Sequence, residues 1–142
     1  MSRRRIKVLV ADPEAGPRKR VVELVASTAE KEGLDVTTRE ASDATTAMAA
    51  WSEARPDVVV TEVLLPGMSG LAMLRRMKTE LEALPAVVLV TSLARESDRY
   101  WGLRNGAIAY VTKPYEDAEL ERRLVEAFEP GAASKERRPF AT

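Results

Sequence analysis

At 142 residues, 45% of them apolar, the chain is long enough for one domain with its own core and too short for two ordinary ones. It has neither cysteine nor histidine, which excludes disulfides, thiolate or imidazole catalysis and the common zinc sites. Acidic and basic residues balance at 22 each, but Arg3, Arg4, Arg5 and Lys135, Arg137, Arg138 gather at the two ends and leave a mildly acidic body, which argues against nucleic-acid binding by the folded part.

The basic ends read as solvated termini. No apolar run approaches the length of a membrane span, and no signal-type stretch follows the N-terminal arginines, so a cytoplasmic protein is expected. Residues 6–11 form a valine-rich run without polar alternation, as in a strand covered on both faces. Val21, Val22, Leu24, Val25 and Ala29 then recur at helical spacing, and Gly33 ends that segment. A weaker strand is expected at 34–38. Ala44, Ala47, Met48 and Trp51 form a second helical stripe, closed by Pro56. The run at 58–60 is a third strand. Ser69 is placed to cap a helix carrying Leu71, Leu74, Met77 and Leu81. A fourth strand at 86–90 follows Pro85, and a fifth at 108–111 follows Gly106. Leu120, Leu124 and Phe128 mark the last helix, ended by Pro130 and Gly131. Five strands alternating with helices predict an α/β, doubly wound parallel sheet in one domain, residues 1–129, followed by a mobile tail, 130–142.

In such a sheet, ligands bind beyond the carboxyl ends of the strands. Asp12, Pro13 and Glu14 follow the first strand, Glu62 the third, Thr91 and Ser92 the fourth, and Thr112, Lys113 and Pro114 the fifth. Carboxylates, hydroxyls and a lysine converging on one edge suit a divalent cation and a phosphoryl group. A hydrolase would need a nucleophile elbow, and a nucleotide-binding module a glycine-rich loop after the first strand. Neither is present.

The stretch IKVLVAD at 6–12, PDVVVTEVLLPGMSG at 56–70, VVLVTS at 87–92 and GAIAYVTKPY at 106–115 together resemble the receiver domains of bacterial response regulators in two-component signalling. The likeness covers about residues 6–128 and implies a flavodoxin-like (βα)5 sandwich with strand order 2-1-3-4-5. Members of that family take a phosphoryl group onto an aspartate after the third strand, with Mg²⁺ held by an acidic pair after the first. By resemblance, Asp12 is the first acid of the pair, Thr91 the hydroxyl that turns toward the phosphate, and Lys113 the lysine that pairs with it. A cis Lys113–Pro114 bond is also implied.

Two positions depart from the pattern. Pro13 replaces the second acid, and Glu62 stands at the phospho-acceptor position. With Asp12 and Glu62 the only weak metal candidates, Mg²⁺ binding is expected to be weak; Glu14 lies one residue too far along the turn. Glu62 carries its carboxylate one methylene further and can reach Lys113 and Thr91. The expectation is a non-enzymatic, stand-alone pseudo-receiver that acts by phosphorylation-independent protein contact. Whether Glu62 mimics the activated state or leaves an inert scaffold stays open, and a conventional Mg²⁺-dependent, phosphorylatable regulator is the alternative. The expected partner is a histidine kinase, an output protein or a second copy, met through the face of the fourth helix, fifth strand and fifth helix. Tyr100 and Trp101 anchor that face in this reading, with Tyr110, the family's switch aromatic, on its border. Adjacent helical residues point about 100° apart, so at least one of Tyr100 and Trp101 should be exposed.

Overall fold

The computed structural model describes residues 3–81 and 84–133. Five strands, β1 (Arg4–Ala11), β2 (Leu34–Ala41), β3 (Val58–Thr61), β4 (Ala86–Thr91) and β5 (Ala109–Thr112), alternate with five helices. These are α1 (Ala15–Lys31), α2 (Ala44–Ala54), α3 (Gly70–Glu80), α4 (Glu96–Arg104) and α5 (Asp117–Phe128). Every ladder is parallel and the order is β2-β1-β3-β4-β5, the flavodoxin-like arrangement.

Successive residues of a strand point to opposite faces, so a valine-rich run supplies two cores at once. Ile6, Val8 and Val10 of β1 join Val88 and Val90 of β4 under Val25 of α1 and Leu120 and Leu124 of α5. Leu9, Val59, Val87 and Leu89 face the other way, under Trp51 of α2 and Met73, Leu74 and Met77 of α3. Asp43 and Ser69 cap α2 and α3, accepting from the backbone N–H of Thr46 and Ala72.

The structure departs from the sequence reading at several places. β2 runs to Ala41 rather than residue 38, because Thr38, Arg39 and Glu40 continue the ladder against Val8, Leu9 and Val10 although they are polar and lie at the sheet edge. Arg3 and Arg4 are not simply solvated: Arg3 donates to the Leu34 carbonyl at 3.2 Å and pairs with Glu30, and Arg4 donates to the Phe128 carbonyl. The packed body also extends past residue 129, since Ala132 is buried and Ala133 packs on the same core. The rest of the expected tail, 134–142, lies outside the described residues. Among the described residues no helix is long and apolar enough to cross a membrane.

Candidate functional site at the carboxyl edge of the sheet

β1 ends at Ala11 and delivers Asp12 to the edge, where its backbone N–H donates to the Ala41 carbonyl at 3.0 Å. β3 delivers Glu62 in the same way, its N–H donating to the Ala11 carbonyl at 2.9 Å. Behind Glu62 the first turn of α3 passes so close that a Cβ on Gly70 would lie 2.7 Å from the Glu62 carbonyl oxygen. Glycine is therefore what lets α3 start directly behind this residue.

Lys113 follows β5, and its Nζ donates to Asp12 Oδ2 at 2.7 Å and to Glu62 Oε1 at 3.0 Å. The three side chains form one compact charge cluster. The Asp12 and Glu62 side chains are 5% and 7% exposed, and that of Lys113 is 20% exposed. Burial pulls the Lys113 ammonium down, but its hydrogen bonds to Asp12 and Glu62 outweigh burial and hold it above the usual lysine range. The other carboxylate oxygens are also engaged. Asp12 Oδ1 accepts from the Glu14 N–H at 2.9 Å, and Glu62 Oε2 accepts from the Leu64 N–H at 3.0 Å.

Glu62 thus reaches Lys113, as its length predicts, but its second oxygen turns to Leu64 rather than to Thr91. The buried Thr91 hydroxyl accepts instead from the Leu93 N–H at 3.3 Å. Glu14 does not enter the cluster: its side chain is exposed at the N-cap of α1, and it contributes only its backbone N–H. The Lys113–Pro114 peptide is cis. Sequence reasoning missed Arg18, which donates to the Asp12 carbonyl at 2.7 Å while pairing with Glu40. Its only signal was its place in the first turn of α1. It also missed the Leu64 N–H, for which no side chain gives a signal.

These residues suit Mg²⁺ poorly. The ion needs near-ideal octahedral oxygen coordination at short distance. Here an ammonium already sits between the two carboxylates, Pro13 adds no ligand, and among the described residues no three acidic side chains group to hold an ion.

Away from the charge cluster, Tyr100 and Trp101 on α4 are 50% and 52% exposed and meet edge to face, 5.0 Å between ring centres. Tyr110 does not border a surface as expected. It is buried, and its hydroxyl donates to the Leu93 carbonyl at 2.7 Å. The ring fits because α4 presents Gly102 to it: a Cβ there would lie 2.9 Å from Tyr110 Cδ2 and 2.7 Å from Leu89 Cδ1.

The ends of four strands of this parallel sheet thus bring two carboxylates, a hydroxyl and a lysine to its carboxyl edge. The model of the response regulator receiver domain matches residues 8–125, and the chain belongs to that family, whose members interact with kinases and output proteins and typically bind Mg²⁺. The chain is 41% identical over 119 residues to a probable transcriptional regulatory protein, TcrX, of Mycobacterium tuberculosis, covering 84% of this chain and 48% of that one. It is 35% identical over 120 residues to the phosphate regulon transcriptional regulatory protein PhoB of Escherichia coli, covering 83% and 49%. It therefore spans about half the length of these curated relatives. The signal receiver domain of the putative response regulator NarL from Mycobacterium tuberculosis superimposes with a TM-score of 0.75 at 22% identity, over 87% of this chain and 95% of that one. At that identity the likeness speaks for the fold alone.

Proposed function

We propose that this domain is a pseudo-receiver: a signalling module that works by protein contact without accepting a phosphoryl group. The observation that carries the reading is Lys113 shared between Asp12 and Glu62 at 2.7 and 3.0 Å. In-line phosphoryl transfer depends on positioning and charge neutralisation. Here the attacking position holds a longer carboxylate already bonded at both oxygens, and the lysine that would pair with a phosphoryl group is already paired. Glu62 supplies a fixed negative charge beside Lys113, so the domain stays in one state, and Mg²⁺ has no part in it. The output is contact with another protein. A transcriptional output, as the names of the relatives suggest, would belong to sequence outside the matched region.

The test is intact-mass measurement after incubation with acetyl phosphate and Mg²⁺. The wild type is expected to stay unlabelled and Glu62→Asp to gain little, because Pro13 still leaves the acidic pair incomplete. The double variant Pro13→Asp, Glu62→Asp is expected to label. Efficient labelling of the wild type would overturn the reading in favour of a conventional phosphorylatable regulator, whereas efficient labelling of Glu62→Asp alone would show that Glu62, and not Pro13, is what disables the site.

A further inference from the structure

Leu71 and Arg75 of α3 and Asp98, Trp101 and Asn105 of α4 and its C-cap border a groove of about 300 Å³. Positions 98, 101 and 105 lie on one stripe of α4, and positions 71, 75 and 78 on one stripe of α3, which puts Lys78 a turn beyond Arg75. Trp101 therefore faces the α3 side of its helix, away from β5, where Arg99 donates to the Tyr110 carbonyl. The indole is braced by Tyr100, and the Asn105 amide donates to the Trp101 carbonyl at 2.7 Å. A half-exposed ring already in contact with Tyr100 gives up less freedom when it is covered than a free one would.

The charge in the groove is one-sided. Among the described residues Asp98 is its one acid, and it is committed to Arg95 through two hydrogen bonds of 3.0 and 3.2 Å, which hold its carboxylate below the usual range. Arg75 and Lys78 are exposed and have no side-chain partner among the described residues. Among the described residues the unpaired charge beside the groove is therefore positive, on two adjacent turns of α3 about 4.5 Å apart along the axis.

We infer that this groove docks an acidic amphipathic helix of a partner protein. The apolar stripe of that helix sits on Leu71 and Trp101, and carboxylates three or four residues apart meet Arg75 and Lys78. Among the described residues a second copy of this chain offers no such helix. Its acidic α5 keeps the apolar stripe of Leu120, Leu124 and Phe128 in the core. The inference rests on the reading that output is by protein contact, and not on the phosphorylation state of Glu62.

The probe is a displayed library of amphipathic helical peptides selected on the whole chain, with the oligomeric state followed by sedimentation. The expected result is enrichment of peptides with acidic residues flanking an apolar stripe, whose affinity falls at least about tenfold in Trp101→Ala and in Arg75→Glu and weakens with added salt. Enriched peptides that are neutral or basic, affinities unchanged in both variants, or no enrichment over Trp101→Ala would overturn the inference. So would a wild-type dimer that Trp101→Ala dissolves, because the groove would then belong to a second copy. Phosphodonor labelling of the chain enters none of these readouts, so the two readings can fail separately.

Discussion

Lys113 keeps two nearly buried carboxylates within reach of one cation, and removing it leaves like charges facing each other out of water. Lys113→Met is expected to destabilise the fold by about 3 kcal/mol in urea unfolding, the low end for a buried pair because the ammonium is partly exposed. The pH dependence follows from the upward shift of Lys113. Its contribution is fully present below the ordinary lysine pKa of about 10.4 and is lost as pH rises through the higher folded value. The stability gap between wild type and variant should stay flat across neutral pH and close above that range. Calorimetric titration with Mg²⁺ should show no micromolar binding; a micromolar dissociation constant would mean that the ion displaces Lys113 from both acids. At this scale the sequence reading was good wherever side chains follow strand ends, which is how Asp12, Glu62 and Lys113 could be placed together. It failed where a backbone amide decided the outcome. The Leu64 and Leu93 N–H groups claim Glu62 Oε2 and the Thr91 hydroxyl, and turn geometry of that kind is not written in side-chain identity.

Among the helices, α4 depends most on a single position. It buries only Gly102, and that glycine seats Tyr110. Alanine favours a helix over glycine by up to about 1 kcal/mol, yet the added methyl would press on Leu89 and Tyr110, an overpacking cost of about 1–3 kcal/mol. Gly102→Ala should therefore lower the thermal midpoint and alter the near-ultraviolet signal of Tyr110; a midpoint equal to or above wild type would show that α4 is free to lift. Burial first, then the charges of Asp98 and Glu62, push the Tyr110 hydroxyl up to about 12, so it remains a donor to Leu93 at any ordinary pH. This helix was the least legible element, because it has no apolar stripe and could be placed only by resemblance. The burial of Tyr110 was not legible either, since it depends on a glycine in another element. The first, third and fourth strands and the helices around Trp51 and Leu124 had no such dependence, and their apolar runs and stripes sufficed.

For the whole molecule, strict alternation of strands and helices was enough to give a parallel sheet, and the quoted motifs supplied its order. The end of the body was misplaced because Ala132 and Ala133 are too small to form a pattern, even though they pack on the core. The two tryptophans stand in opposite situations within this frame: Trp51 is 1% exposed in the core under α2, and Trp101 stands half in water on α4. The chain thus carries two emitters with separate duties. In the native state iodide should quench only the red-shifted component, and Trp101→Phe should abolish that quenching while leaving a blue, shielded emission from Trp51. Unfolding should shift the Trp51 band, whereas anything seated between α3 and α4 should protect the Trp101 band from iodide without moving the other. Occupancy of the groove and integrity of the core can then be read in the same cuvette, from light of two different colours.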